Sequence, residues 1–162
     1  MATEAVSPNP LGFTFTEPGA APLAAARRHR AELLQAIQSY ERALAVPAGD
    51  PAWRDGVAER LGSLRAAFAG HVVVTEGADG LYAEVLDHAP RLSRAVHILI
   101  REHAALAAAM DGLQRQISIG RRPSIEEVRG WASDLLRELS RHRQRGADLV
   151  YEAYATDIGG ET

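Results

Sequence analysis

Apolar residues recur along this chain at alternating steps of three and four positions, in four separate stretches. This spacing places them on one face of a helix, because an α-helix completes a turn in about 3.6 residues. The pattern predicts helices over residues 22–44, 52–88, 90–116 and 124–154. The second helix is interrupted at Gly77–Gly80, where glycine allows the backbone to leave the helical conformation, and it resumes as LYAEVLDH.

Local sequence signals support the predicted helix boundaries. Ser124 and Glu127 form the S-x-x-E pattern of a capping box at the start of the fourth helix. Asp50 followed by Pro51 predicts a capping residue and a first helical residue for the second helix. Pro90 is expected to begin the third helix.

Long helices with short connections, and no alternating strand pattern, predict an all-α fold. The expected architecture is an antiparallel up-and-down four-helix bundle over residues 22–156. Residues 1–21 are rich in proline and glycine and lack a helical period, so we expect a mobile N-terminal tail. Residues 157–162 are expected to form a short C-terminal tail.

Each of the four apolar stripes contains one histidine. A single histidine in such a stripe is usually hydrogen-bonded within the core, but here four of the six histidines occupy equivalent places. At about 1.5 Å of rise per residue, all four can lie at one height in an antiparallel bundle. We therefore predict a shared interior site. The stripes are His29, Leu33, Ala36, Tyr40 and Leu44; Trp53, Val57, Leu61, Leu64, Phe68 and His71; Val96, Leu99, His103, Leu106, Met110 and Leu113; and Val128, Trp131, Leu135, Leu139 and His142.

Composition excludes several classes of function. The chain has no cysteine, which rules out disulfides, thiolate nucleophiles and cysteine-ligated metals. All 18 basic residues are arginines, and the net charge of −3 does not predict nucleic-acid binding. No apolar run is long enough to cross a membrane, and the N-terminal residues lack the pattern of a signal peptide, so a cytoplasmic protein is expected.

The order and context of the four histidines resemble the hemerythrin-like, or HHE cation-binding, domain family. RRHRAELLQ around His29 is similar to the first motif of that family, and REHAALAAAM around His103 is similar to the third. The resemblance covers residues 25–155. It implies a four-helix bundle with a non-haem diiron centre that binds dioxygen or handles peroxide and nitric oxide.

The second and fourth motifs of the family are H-x-x-x-E, and both differ here. Thr75 occupies the position four residues after His71, with Glu76 one residue later. Gly146 occupies the position four residues after His142. The candidate carboxylates are therefore Glu76, which the neighbouring glycine break could redirect, and Glu138, one turn before His142. Glu138 is also placed for a surface ion pair with Arg141 or Arg145, and that interpretation is favoured.

The candidate metal ligands are therefore His29, His71, His103, His142, Glu76 and Glu138. Histidine-dominated ligation suits a single transition-metal ion, or a haem held between two imidazoles, better than a diiron pair. The resulting hypothesis is an iron protein that binds, senses or detoxifies a small diatomic or peroxide species. The alternatives are an oxidase or oxygenase on the same scaffold, and a metal-free bundle that binds a partner. A homodimer is compatible with the sequence.

Overall fold

The computed structural model describes residues 20–118 and 122–155, and these residues form helices and connections without any strand. This confirms the predicted all-α class. The four long helices are α1 (Ala20–Ala45), α2 (Trp53–Glu76), α4 (Ser93–Ser118) and α5 (Ile125–Tyr154). The short helix α3 (Leu81–His88) and a single 3₁₀ turn (Pro90–Leu92) lie between α2 and α4. The two predicted tails lie outside the described residues, except that α1 begins at Ala20, before the predicted start.

Three boundary signals were predicted. Pro90 begins helical structure as the 3₁₀ turn, which leads directly into α4 at Ser93, and the capping box at Ser124 is confirmed. The Ser124 hydroxyl accepts a hydrogen bond from the Glu127 N–H at 3.1 Å, and the Glu127 carboxylate accepts one from the Ser124 N–H at 2.7 Å, which completes the capping box. Asp50, in contrast, is not the residue that caps α2. Its carboxylate accepts a hydrogen bond from the Ala52 N–H at 2.9 Å and closes a turn, and the helix begins at Trp53.

The break between α2 and α3 is confirmed, and it requires glycine for close backbone approach. A Cβ at Gly80 would lie 2.9 Å from the carbonyl oxygens of Val74, Thr75 and Gly77. A Cβ at Gly77 would lie 2.8 Å from the carbonyl oxygen of Val73. The chain therefore turns tightly at the end of α2, and α3 brings Tyr82 back towards the interior, where it is buried.

The buried side chains form two hydrophobic clusters stacked along the bundle. The larger one is contributed by α1, α2, α4 and α5, and the smaller one by α3, the 3₁₀ turn and the adjoining ends of α1, α4 and α5. On α4, Val96 and Leu99 belong to the smaller cluster and Leu106 to the larger one, with His103 between them. On α5, His142 lies in the same way between Leu139 and Leu149. The histidines thus occupy a polar layer between two apolar ones.

Trp131 was predicted to belong to the buried stripe of α5, and this was wrong. Its side chain is 38% exposed, and the fully buried position is that of the next residue, Ala132. The alanine allows α5 to approach the core closely, and the larger indole is displaced to the edge. The other four stripe positions on α5 are buried as predicted.

The backbones of some pairs of long helices lie closer together than those of others. Helix α1 packs on α2, α2 on α4, and α4 on α5, whereas the backbones of α1 and α5 approach less closely. No helix in the described part of the chain is both long enough and apolar enough to cross a membrane.

Candidate metal centre

Three histidines from three different helices converge in the polar layer. His71 on α2, His103 on α4 and His142 on α5 each offer one ring nitrogen, and these nitrogens all lie within 4.8 Å of one another. The Nε2 atoms of His71 and His142 are 3.3 Å apart. His103 and His142 are each 2% exposed, so the site lies in the interior.

Carboxylates hold two of the three rings in place. Nδ1 of His103 lies 2.6 Å from Oε1 of Glu76, and Nδ1 of His142 lies 2.9 Å from Oε2 of Glu102. Because a carboxylate at neutral pH can only accept, these contacts assign the proton of each ring to Nδ1. The Nε2 lone pairs of both histidines are then directed at the centre of the cluster. A carboxylate behind a histidine is the usual support of a metal-ligating imidazole.

The second oxygen of Glu102 is also engaged. Arg145 on α5 forms an ion pair with Oε1 of Glu102, whose side chain is 18% exposed. Glu102 therefore joins α4 to α5 twice, through His142 and through Arg145. This fixes the carboxylate, and with it the orientation of the His142 ring.

His71 lacks such a carboxylate. With the Nε2 of His142 unprotonated, the 3.3 Å contact assigns the proton of His71 to its own Nε2. Its Nδ1 atom is then a buried acceptor, and it has no hydrogen-bond partner. The Tyr82 hydroxyl, 3.5 Å from Nε2 of His103, is positioned to donate to that nitrogen. Within the cluster, Nδ1 of His71 therefore has no hydrogen-bond donor, and Nε2 of His103 has only the long contact with Tyr82.

Burial keeps the three imidazoles neutral. Desolvation lowers the pKa of His71 to about 3 and that of His103 to about 3, and it lowers the pKa of His142 to about 4. Neighbouring histidines lower the pKa of His71 and His103 further. Neutral imidazoles are the form that ligates metals, so no proton has to be released from an imidazolium before an ion can bind near pH 7.

The spacing fits a single ion after a small movement. Three imidazole nitrogens at about 2.1 Å from one metal ion lie about 3.0–3.4 Å from one another, depending on the coordination geometry. The separation of 3.3 Å between the Nε2 atoms of His71 and His142 already matches this range. The remaining separations, within 4.8 Å, require only a modest approach of the His103 ring.

His29 is not brought into the cluster of three. It lies beside Gly70 of α2, where a Cβ would approach its Nδ1 to 3.0 Å, and its side chain is 31% exposed. The Glu32 carboxylate lies 3.2 Å from the same Nδ1 atom, but not in hydrogen-bonding geometry. Of the four histidines in the predicted stripes, the structure therefore gathers those of α2, α4 and α5.

The two predicted carboxylates take different positions from those expected of ligands. Glu76 lies behind His103 and contacts its Nδ1, not the centre of the cluster. Glu138 is 56% exposed and pairs with Arg141 at 2.8 Å, so the surface interpretation describes it. Burial raises the pKa of Glu76.

Glu102 is the residue that sequence reasoning missed. It immediately precedes His103, so it points about 100° away from the histidine around α4 and falls outside the apolar stripe. That direction is towards α5, where it supports the histidine of the neighbouring helix. One signal in the sequence could have identified Glu102. It is a carboxylate next to a stripe histidine, on the side of its helix that faces another histidine-bearing helix.

Phe68 closes one side of the histidine cluster, and a cavity lies beside it on another. Phe68 fills one side, with its ring centroid 5.7–6.1 Å from those of the three histidines. On the other side His71 and His142 line a cavity of about 130 Å³ between α1 and α5. A haem is too large for this cavity, since even drug-sized ligands occupy about 300–1,000 Å³. A larger groove of about 500 Å³ lies between α4 and α5, but none of the three histidines lines it.

Comparison of the chain with protein-family models, with curated proteins and with solved structures finds no match in any of the three.

The pKa shifts predict how the stability of the metal-free protein depends on pH. In the unfolded chain the histidines protonate near their ordinary pKa of 6.5, whereas the folded pKa values are about 3 to 4. The unfolded state therefore takes up protons first as the pH falls. The free energy of unfolding should be highest above pH 6.5 and decrease between pH 6.5 and 5, by up to about 1.4 kcal/mol per pH unit for each histidine.

Urea unfolding of the metal-free protein at pH 7.5, 6, 5.5 and 5 measures this slope. The His142→Gln variant should show a shallower decrease over the same range, because one of the three buried groups no longer titrates. A free energy of unfolding that stays constant between pH 7 and 5 would show that the imidazoles are not held neutral by burial.

Proposed function

We propose that this protein is a hemerythrin-like, antiparallel up-and-down four-helix bundle that binds one transition-metal ion through His71, His103 and His142. The observation that carries the proposal is the convergence of three ring nitrogens within 4.8 Å, with carboxylates behind two of the rings. Iron is the metal we propose, in line with the resemblance of the histidine pattern to the hemerythrin-like family. Imidazole ligands suit iron as they suit zinc and copper, so the donor set alone does not select among these ions.

The arrangement favours one ion over two. Two bridged iron ions need carboxylates that are free to contact both metals, but Glu76 and Glu102 already accept hydrogen bonds from the histidines. The positions that carry carboxylates in the related motifs are Thr75 and Gly146, which offer none. Two carboxylates behind the rings balance the charge of one divalent ion, whereas a second ion would leave positive charge uncompensated in the interior.

A metal-free role accounts less well for the histidines. In a metal-free protein the Nε2 atoms of His71 and His142 can bond to each other, and Tyr82 can bond to His103. Nδ1 of His71 is buried without a partner whether or not a metal is bound at Nε2, so this atom does not distinguish the two roles. The metal-free pairing gives no reason, however, for one nitrogen from each of three helices to lie within 4.8 Å of the others.

An iron ion held here would supply a centre that exchanges electrons with dioxygen, nitric oxide or peroxide. The chain controls access to that centre. Phe68 excludes water on one side, and the cavity between α1 and α5 admits only small species on the other. Tyr82 also lines this cavity, and its hydroxyl lies 3.5 Å from Nε2 of His103.

The size of the cavity separates this proposal from the oxygenase alternative. An oxidase or oxygenase acting on an organic substrate requires a pocket beside the metal that holds that substrate. A cavity of about 130 Å³ accommodates a few heavy atoms, which suits binding, sensing or detoxifying a diatomic or peroxide molecule. The cytoplasmic location, the homodimer and the lack of nucleic-acid binding stay predictions.

Metal stoichiometry tests the proposal directly. Metal-free protein titrated anaerobically with ferrous ion, and followed by calorimetry, should bind one ion per chain. The His103→Gln variant should lose this binding, because it removes one of three ligands. The His97→Gln variant is the matched control. His97 lies on the same helix, but its ring contacts the Ser93 carbonyl at 2.7 Å on an exposed face, so its loss should leave affinity unchanged.

Binding of two ions per chain would contradict the single-ion proposal. Equal affinity in the wild type and His103→Gln would exclude the histidine cluster as the binding site.

The supporting role of Glu102 makes a separate prediction. Glu102→Gln removes the charge that stabilises the His142 ring in its ligating orientation, so metal affinity should fall about 10–100-fold. Glu138→Gln makes the same change of charge on the exposed face of α5 and should not alter the affinity. If both variants lower the affinity equally, the effect is one of net charge and Glu102 has no specific role. A larger loss in Glu138→Gln would instead identify that residue as a ligand.

A further inference from the structure

The cavity beside the histidines is lined by cations and by no acidic residue. Arg27 and Arg30 on α1 and Arg143 on α5 line it together with apolar residues, His71 and His142, and none of its lining residues is Asp or Glu. Arg27 and Arg30 are three residues apart and so share a face of α1. The three arginines therefore lie on the two helices that border the cavity, α1 and α5, whose backbones approach less closely than those of α1 and α2 or of α4 and α5.

The arginines that line the cavity are not neutralised by an acidic side chain in the described residues. Within the described part of the chain, Arg27, Arg30 and Arg143 form no ion pair and no hydrogen bond, whereas Arg141 and Arg145 on α5 pair with Glu138 and Glu102. The Nε atom of Arg143 is buried and has no acceptor. A buried donor of a charged group that lacks an acceptor is costly, and an anion in the cavity would supply that acceptor.

The chain also keeps the space for that anion open. A Cβ at Gly146 would meet no atom within 4 Å, and Gly146 and Ala147 both line the cavity. A glutamate at position 146 would fill the cavity with its own side chain and supply the missing negative charge. Glycine leaves this space free for a bound molecule.

We infer that this cavity binds a small planar oxyanion, a carboxylate or an inorganic oxyanion of three or four heavy atoms, held by Arg143 with Arg27 and Arg30 at the mouth. The volume of about 130 Å³ corresponds to about four water molecules at about 30 Å³ each, which sets the size of the ligand. A guanidinium group matches two oxygens of such an anion with two parallel N–H donors.

The anion would lie next to the histidine cluster, because His71 and His142 line the same cavity. That part of the inference rests on the proposed function: an anion bound here would occupy the open side of the metal ion and act as its additional ligand or as the molecule it senses. The arginine site itself does not depend on the metal, so it can be tested in the metal-free protein.

The test is titration of isotopically labelled full-length protein, metal-free and metal-loaded, with sodium formate and separately with sodium nitrate at constant ionic strength. Amide resonances of residues lining the cavity, such as Leu23, Ala147 and Val150, should shift and saturate. Formate tests an organic carboxylate and nitrate an inorganic oxyanion. Saturation by either or both supports the inference and identifies the source of the anion, and saturation by neither in both forms overturns it.

Two pairs of variants locate the binding. Arg143→Gln and Arg30→Gln should each weaken anion binding about tenfold or more, because each removes a charged hydrogen-bond donor. Arg141→Gln and Arg28→Gln remove the same charge from the same helices outside the cavity and should change affinity little. Equal weakening by the cavity variants and the controls would show nonspecific charge attraction and overturn the inference.

The outcomes for the metal and for the anion are separable. If one ferrous ion binds but no anion saturates the cavity, the proposed function stands and the anion inference falls. If no metal binds but anion binding depends on Arg143, the anion inference stands and the proposed function falls.

Discussion

The structure depends on the hydrogen bonds between two carboxylates and two buried imidazoles. The bonds from His103 to Glu76 and from His142 to Glu102 let a polar layer persist between two hydrophobic clusters. They fix which ring nitrogen carries the proton and direct the other towards the centre. Without these carboxylates, the layer would contain rings free to rotate, and nothing would favour convergence over separate hydrogen bonds to the backbone.

The polar layer makes the two sides of the bundle different. On one side Phe68 packs against all three rings and continues the larger hydrophobic cluster. On the other side α1 contributes no nitrogen to the cluster and stands further from α5, so that a cavity remains. Gly146 and Thr75 line this cavity and offer no carboxylate to it.

The sequence alone predicted the all-α fold class and, among four candidate histidines, the three that converge. Both predictions follow from the spacing of apolar residues within each helix, which does not depend on how the helices pack. His71, His103 and His142 continue apolar stripes, and a stripe must face the core. The predictions that failed concern residues whose positions depend on how neighbouring helices pack. Glu102 lies outside its own stripe and acquires its role only from the placement of α5. Ala132 is buried and Trp131 is 38% exposed, so the smaller of these two adjacent residues is the one that faces the core. His29 has the right period, but its ring stays beside Gly70.

The most direct test of a single-ion site at the three histidines is a crystal structure of the metal-loaded protein, with anomalous diffraction measured at the absorption edge of the metal. We expect one anomalous peak per chain, within about 2.1 Å of the Nε2 atoms of His71, His103 and His142. We also expect that Glu76 and Glu102 stay on the Nδ1 side of their rings. Two peaks bridged by a carboxylate, or a single peak away from the three rings, would contradict a single-ion site there.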